Sequence, residues 1–261
     1  MRLRTPHRRP LAGLASLGAV LAMSAPLGAH AQATVIKDGQ WRYALGAGAS
    51  LTGGNTRSSS FNFTGDAVQV TEDAKWALHV QSLYSRNNGS VTADNLGGNV
   101  QRDKDFTPDW FGYGRGDYLR DKPANLTYRA SASSGVGRHM IRDDQNTFDL
   151  STGLAYTVDR YITPVDVAGG PRDTYSRVEW VLTELSTHRV SPTTSLRQRL
   201  DFATDVRGGG NRANFDSGIA VSITRSLNLT ASFVLRYNGD PGVGVKKVDT
   251  FLVTGIGLKL D

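Results

Sequence analysis

The sequence LNLTASFVLRYN, residues 227–238, decides the fold class of this chain. Its polar and apolar residues alternate with a period of two, and only Val234 breaks the alternation. A period of two is typical of a β-strand that has one apolar and one polar face. The stretch is about twice as long as the usual strand of a soluble protein. At a rise of about 3.4 Å per residue and a tilt of about 40°, it would span a hydrocarbon layer.

The same alternation recurs along the chain. In SSSFNFTGDA, residues 58–67, Phe61 and Phe63 alternate with small polar residues. We therefore predict that both phenylalanines contact lipid, whereas the polar residues between them face a polar lumen. That lumen-facing set is Ser60, Asn62, Thr64 and Asp66. Further alternating segments begin near Trp41, Trp76, Phe148, Leu196, Phe215 and Leu252.

Turn signals rich in Gly, Pro, Asn and Asp separate these segments. The alternation is weakest in residues 94–105, which are polar and contain glycine, and its phase shifts within residues 175–188. The segments together predict an all-β chain: an antiparallel transmembrane β-barrel of about 12 strands after an N-terminal signal peptide.

The first 31 residues have the features of a secretory signal peptide. Four arginines precede an apolar stretch over residues 11–23, and Ala29-His30-Ala31 fits a cleavage site of the small-x-small type. The apolar stretch is shorter than the roughly 18 residues that a membrane-spanning helix needs. We predict a signal peptide at residues 1–31 and an outer-membrane β-barrel at residues 32–261, exported to the periplasm with cleavage of the signal peptide.

The charge of the predicted mature chain gives no support for nucleic acid as a partner, and an exported chain is in the wrong compartment for one, so we predict none. The sequence has 30 Lys and Arg and 24 Asp and Glu, and only four arginines fall in the signal peptide, which leaves 26 − 24 = +2. The basic isoelectric point thus belongs largely to the signal peptide. The sequence contains no cysteine, which excludes disulfides, thiolate catalysis and zinc–thiolate sites.

Connection lengths predict the orientation of the barrel. If both termini lie in the periplasm, the longer connections fall on the outer side and the tight turns fall on the periplasmic side, as in outer-membrane barrels. The longer connections are residues 87–94, 160–173, 207–212 and 239–247, and the tight turns are at Thr107, Ser191 and Arg225.

The aromatic residues agree with this orientation. Trp41, Trp76 and Trp110 begin odd-numbered strands, which run from the periplasmic side to the outer side, so they should lie at the periplasmic membrane interface. The predicted outer girdle consists of Tyr84, Tyr118, Tyr128, Phe215 and Tyr237. The alternative is a soluble periplasmic barrel or sandwich with its apolar face inward. Against that alternative, the polar faces are rich in Gly, Ser, Thr and Asn, whereas the outer face of a soluble sandwich needs charged residues.

The stretch LTGGNTRS, residues 51–58, follows the strand that begins at Trp41. It resembles the start of the family named domain of unknown function 481, whose members are also labelled salt-induced outer-membrane proteins. The resemblance covers nearly all of the predicted mature chain in length and strand order. It implies a Gram-negative outer-membrane protein without an established activity, assembled by the outer-membrane insertion machinery. Such proteins usually end their last strand with an aromatic residue, whereas this chain ends with Leu260 and Asp261.

Catalytic and metal sites are weakly supported by the sequence. A serine hydrolase needs a histidine beside the serine, and the nearest pair is His188 and Ser191 at a predicted periplasmic turn. Residues 103–105 and 142–146 contain oxygen ligands but lack the spacing of a calcium loop. We therefore predict no enzyme activity, no catalytic or metal residues and no cofactor.

Charged residues on the predicted lumen face are more informative. Opposite charges there either form a network that braces and plugs the interior or line a narrow water path that selects ions. A barrel of about 12 strands lies between small filled barrels and open porins, so both uses remain open. The candidate lumen-lining residues are Arg197, Arg199, Asp201, Asp205 and Arg236.

Basic residues near the predicted outer rim suggest contacts with lipopolysaccharide phosphates. They are Arg86, Arg120, Lys122, Arg160, Arg172, Arg207, Arg212, Lys246 and Lys247. The predicted partners are outer-membrane lipid including lipopolysaccharide and, during assembly, the insertion machinery. The predicted function is a narrow, porin-like channel for small solutes or ions, or an envelope stress barrel. The alternatives are a lipid-modifying outer-membrane enzyme and a closed structural or interaction barrel.

Overall fold

The computed structural model describes residues 36–52, 57–167, 169–208, 210–241 and 246–260, with the backbone alone at residues 50, 52, 251 and 253. The predicted signal peptide and the turn at residues 53–55 lie outside the described residues. The described chain forms twelve strands. They are β1 (Trp41–Thr52), β2 (Ser58–Val70), β3 (Ala74–Asn87), β4 (Ser90–Asp105), β5 (Trp110–Asp121), β6 (Leu126–Arg142), β7 (Asn146–Val167), β8 (Gly170–Ser191), β9 (Thr194–Asp205), β10 (Asn211–Ser222), β11 (Leu227–Asn238) and β12 (Val248–Leu260).

These strands form a closed antiparallel barrel in which each strand pairs with its neighbours in the sequence. The barrel closes between β1 and β12, where Tyr43 lies opposite Leu260 and Ala47 opposite Ile256. Closure leaves no unpaired sheet edge, which a β-structure in lipid requires. The prediction of an all-β, antiparallel twelve-stranded barrel is confirmed. No helix within the described ranges is long and apolar enough to cross a membrane.

The exterior of the barrel is apolar and its interior is polar. On β11, Leu229 is 49% exposed, whereas Thr230, the next residue, is 6% exposed. On β2, Phe61 and Phe63 are exposed, and the polar residues between them are buried or half-buried. A soluble barrel would bury its apolar face instead. The arrangement is that of a transmembrane barrel, and the predicted strand phase of β2 and β11 is correct.

The two segments with weak alternation are both complete strands. Residues 94–105 belong to β4, and residues 175–188 belong to β8. In β8, Arg177 and Glu179 are buried, whereas Glu184 lies between Leu150 and Leu200, whose side chains face outward. This glutamate on the exterior interrupts the polar–apolar alternation, which explains the apparent shift of phase.

Two connections predicted as long are mainly paired strand. Between β3 and β4 the turn consists of Asn88 and Gly89, both with positive φ, which suits a tight two-residue hairpin. Strands β7 and β8 have 22 residues each and pair almost to their tips. A bulge interrupts their register between Arg160 and Val165.

The β7–β8 hairpin is attached to the neighbouring β5–β6 connection through Asn125. The Asn125 side chain donates to the Thr163 carbonyl and accepts from the Thr163 backbone N–H, both at 2.9 Å. Asn125 has a φ of 60°, and its own carbonyl accepts from the Ile162 N–H. These contacts fix the bulge against the rim of the barrel.

Two names define the ends of the barrel. The terminal end holds Trp41 and Leu260, and the hairpin end holds the connections that follow the odd-numbered strands. Trp41 and Trp110 face outward at the terminal end. Tyr118 and Tyr128 form a stacked pair nearer the hairpin end, with 6.5 Å between ring centroids. Aromatic rings therefore stand near both ends of the apolar exterior, as in membrane barrels.

Candidate functional site

The candidate site is the lumen, because charged side chains from eight of the twelve strands, β4 to β11, point into it. In the half of the lumen near the hairpin end, Arg129 on β6 donates two hydrogen bonds of 2.6 Å to Asp159 on β7. Arg177 on β8 donates to Asp159 at 2.9 Å and to Glu179 at 2.8 Å. Arg212 on β10 donates to Glu179 at 2.5 Å. We call these five side chains the upper network.

Both carboxylates of the upper network are buried. The side chains of Asp159 and Glu179 are each 1% exposed, so neither carboxylate can rely on water for solvation. Each has two arginine partners, and Glu179 also accepts from the Thr157 hydroxyl at 2.6 Å. Buried charges persist only when such partners replace water. The upper network therefore braces one wall of the lumen.

Two further ion pairs occupy the middle of the lumen. On β5, Arg115 donates to Asp117, with the shortest contact at 2.6 Å. On β9, Arg199 donates to Asp201, with the shortest contact at 2.7 Å. Three strands separate β5 from β9 along the wall, yet the charges of Arg115 and Asp201 interact. Charged side chains from separate parts of the wall thus converge in the middle of the lumen.

The Tyr113 side chain extends from β5 past β6 and reaches β7. A Cβ added at Gly153 on β7 would lie 2.6 Å from the Tyr113 hydroxyl, which is closer than real Cβ contacts. Such a Cβ would also lie 2.2 Å from the Ser134 carbonyl oxygen on β6, so glycine at this position leaves room both for the close β6 backbone and for the Tyr113 hydroxyl.

One ion pair joins opposite walls of the barrel. Arg236 Nη1 on β11 lies 3.7 Å from Asp121 Oδ2 on β5. Five strands separate β5 from β11 in either direction around the barrel. This pair, which we call the cross-lumen pair, therefore spans the lumen from one wall to the other.

A single histidine, His139, contacts two aspartates in the lumen near the terminal end. His139 on β6 contacts Asp149 at 2.7 Å and Asp105 at 3.2 Å, one with each ring nitrogen. Its ring stacks on Phe111, with 4.7 Å between centroids. Arg142 donates to Asp105 at 2.8 Å. The terminal half of the lumen is therefore also lined by paired charges.

The structure positions all five predicted lumen-lining residues on the inner face, but it does not bring them together into one site. Arg199 and Asp201 form an ion pair, and the charge of Arg197 interacts with Asp201. Asp205 accepts a hydrogen bond of 2.7 Å from the Tyr175 hydroxyl. Arg236 belongs to the cross-lumen pair. Their roles in lining a passage remain a prediction.

Sequence reasoning missed most of the lumen charges. The missed residues are Arg115, Asp117, Asp121, Arg129, Asp159, Arg177 and Glu179. On β5, the order Tyr113, Arg115, Asp117 with glycines between them already has a period of two. Extending that phase would have found this part of the lumen. Arg212, predicted at the outer rim, instead contacts Glu179 inside the barrel.

The residues considered for catalysis and metal binding make other contacts. His188 contacts the Asn146 side chain at 2.9 Å, and Ser191 contacts Thr193. Asp143 accepts from the backbone N–H groups of Gln145 and Asn146, and these bonds hold the pKa of its carboxyl below its usual value. Among the described residues, no group of three or more His, Asp or Glu side chains is arranged to hold a metal.

Comparison with known proteins identifies a family. The model of the family described as "Protein of unknown function, DUF481" matches residues 45–259. No curated protein matches the chain.

Several solved barrels are similar in structure. The translocator domain of the autotransporter NalP from Neisseria meningitidis is 12% identical, with 85% of this chain and 87% of that chain covered and a TM-score of 0.43. The NanC porin is 10% identical, with coverages of 84% and 99% and a TM-score of 0.44. The CymD monoaromatic hydrocarbon channel is 11% identical, with coverages of 86% and 88% and a TM-score of 0.40.

Proposed function

This chain belongs to the family described as protein of unknown function DUF481, and we propose that it is a narrow channel of the outer membrane that passes small ions or small polar solutes. The observation that carries the proposal is the cross-lumen pair of Arg236 and Asp121. At this level the polar lumen is crossed by two charged side chains rather than closed by packed apolar side chains. Large solutes are excluded because two charged side chains stand in the passage.

The charges of the lumen support a water path. The side chains of Arg115, Asp117, Arg199 and Asp201 are between 15% and 32% exposed, although all four point inward. Rings of charged side chains select ions by favouring opposite charge and by fixing the width of the passage. In this lumen arginines and carboxylates alternate, so an ion meets both signs of charge within a short distance.

The proposed location is the outer membrane, with the terminal end toward the periplasm after export and removal of the predicted signal peptide. Assembly by the outer-membrane insertion machinery is part of this proposal. At the hairpin end, exposed Arg172, Arg207, Lys246 and Lys247 are suited to phosphate groups of lipopolysaccharide. We propose no catalytic step for the barrel.

The upper network favours a second candidate, a closed barrel that supports the envelope under osmotic stress. Its two carboxylates are almost fully buried and bound by arginines from three strands. Such a network rigidifies the wall and fills part of the lumen. The two candidates differ in one measurable property, which is whether ions cross the inserted barrel.

Single-channel recording in planar lipid bilayers tests the proposal. We expect the refolded protein to give discrete conductance steps, with an ion selectivity that a salt gradient reveals as a reversal potential. Arg197→Ser combined with Arg199→Ser should shift the selectivity toward cations, because Asp201 and Asp205 then remain with fewer opposing charges.

A matched control is Arg102→Ser combined with Arg138→Ser, which removes the same charge from exposed positions on the exterior of the barrel. The control should leave the reversal potential unchanged. A protein that is inserted and folded but gives no conductance would contradict the channel and favour the closed barrel.

A further inference from the structure

Glu184 on β8 is an acidic side chain on the lipid-facing exterior of the barrel. Its cross-strand partners are Leu150 on β7 and Leu200 on β9, which are 38% and 37% exposed on the same face. Leu200 is the seventh of the twelve residues of β9, so Glu184 lies level with the middle of that strand. In a transmembrane barrel the hydrocarbon layer surrounds the middle of the strands. Glu184 therefore lies within the apolar layer.

This carboxylate has no partner in its own barrel. Among the described residues, none donates a hydrogen bond to the Glu184 side chain or forms an ion pair with it. A charged side chain in the apolar layer costs free energy unless an opposite charge or a hydrogen-bond donor meets it. Acidic residues at such a depth usually face other protein groups or a water-filled cavity, and Glu184 faces neither within one barrel. The carboxylate is thus suited to a partner outside the barrel.

A basic residue stands in the matching position on the same exterior. Arg138 on β6 and Glu184 on β8 both lie opposite Leu150 on β7, one from each side, so the three residues form one cross-strand row. The Arg138 guanidinium is exposed and lies 5.7 Å from the ring centroid of Trp110. It forms no ion pair with a carboxylate in the described part of the chain. The row thus carries two opposite charges, one strand to either side of Leu150.

Opposite charges on either side of one residue are what a two-fold symmetric contact requires. In such a contact, residue i of one copy meets residue j of the other copy, and j meets i. Two barrels inserted in the same direction are related by an axis along the membrane normal. When this axis passes beside Leu150, each Leu150 packs on its counterpart. Glu184 of each copy then faces Arg138 of the other copy.

The depths of the two charges in the membrane allow both ion pairs. Two strand spacings of about 4.8 Å and a strand tilt of about 40° place Glu184 and Arg138 at depths that differ by roughly 6 Å. Arg138 is four residues from the end of β6, and Glu184 is seven residues from the end of β8, so the glutamate is the deeper of the two. The long apolar stem of arginine spans this difference when its guanidinium leaves the Trp110 ring.

We propose that the exterior of β6, β7 and β8 binds a second copy of this chain in the membrane. Leu150 lies at the two-fold axis, and two ion pairs between Glu184 and Arg138 of different copies flank it. The proposal requires insertion of the barrel in a membrane, but it does not depend on conduction through the lumen.

Disulfide cross-linking of single-cysteine variants tests this contact, because the sequence contains no cysteine. Leu150→Cys places a thiol at the axis, where a disulfide needs Cα atoms within about 7 Å of each other. The matched control is Leu45→Cys on β1. Leu45 and Leu150 are each the fifth residue of their strand and are 40% and 38% exposed, but β1 and β7 lie on opposite walls of the barrel.

The variants are refolded into phosphatidylcholine vesicles and oxidised with copper–phenanthroline. We expect a dimer band from Leu150→Cys on non-reducing gels and little dimer from Leu45→Cys. Dilution of the protein with lipid gives the dissociation constant of the dimer. Glu184→Gln or Arg138→Gln in the Leu150→Cys background should each raise this constant about ten-fold, which is about 1.4 kcal/mol.

A charge exchange tests the pairing itself. Glu184→Arg alone brings like charges together, so it should remove the dimer. Glu184→Arg combined with Arg138→Glu should restore it. Heat-modifiable gel mobility reports folding of each variant, and the glutamine variants decide the question where the exchange prevents folding.

Two results would overturn the proposal. The first is equal cross-linking of folded Leu150→Cys and Leu45→Cys, because that result indicates random collision in the membrane. The second is cross-linking at Leu150→Cys that stays the same in folded Glu184→Gln and Arg138→Gln variants, because the two copies would then meet without the ion pairs.

Discussion

Asp159 illustrates how a single charged residue is accommodated inside this barrel. Its carboxylate is almost fully buried and accepts from Arg129 on one neighbouring strand and Arg177 on the other. The sequence around Asp159 gives no sign of this role, because the partners lie 30 and 18 positions away. Only the pairing register of β6, β7 and β8 brings the three charges together.

We expect Asp159→Asn to destabilise the folded barrel by about 3–5 kcal/mol, because it leaves two arginines without a full counter-charge in a buried site. Asp117→Asn should cost about 1 kcal/mol or less, since the Arg115–Asp117 pair is partly exposed. Urea-induced unfolding of both variants in lipid vesicles measures the difference. Equal losses of unfolding free energy would show that the upper network is not a buried brace.

The strands with clear alternation could be predicted from the sequence, and so could the face of each strand that contacts lipid. In β11 each exterior residue is apolar and each interior residue is polar, apart from Val234. In β2 the same pattern holds from Ser60 to Ala67, whereas Ser59 and Gln69 on the exterior and Val68 and Val70 on the interior depart from it. In β8 the prediction was harder, because Glu184 stands on the exterior. The extent of β7 and β8 was also not predictable, since pairing beyond the membrane depends on contacts such as Asn125 with Thr163.

The facing of β11 has a measurable consequence. Leu229→Arg places a charge on the lipid-facing side and should cost roughly 2–4 kcal/mol of folding free energy. Thr230→Arg, one position further, points into the polar lumen and should cost much less. Reversible unfolding in lipid vesicles compares the two variants. Equal costs would contradict the assignment of faces in this strand.

At the scale of the whole molecule, closure of the barrel determines what the lumen can do. The sequence predicted the number of strands and the polar interior. It did not predict that Asp121 and Arg236 meet, because they are far apart in the chain and approach each other only across the closed barrel. The same holds for the interaction of Arg115 with Asp201. The free width of the lumen is therefore a property of the assembled barrel.

The most direct test of the account is the single-channel conductance of Asp121→Asn/Arg236→Gln compared with the unchanged protein. Loss of the attraction between opposite walls should free both side chains and increase the conductance of each open channel. Arg207→Gln/Asp240→Asn, which changes exposed residues at the same end, should conduct like the unchanged protein. If the cross-lumen variant is folded and inserted but its conductance equals that of the unchanged protein, the cross-lumen pair is not the constriction of the channel. If neither protein conducts, the proposed channel is contradicted.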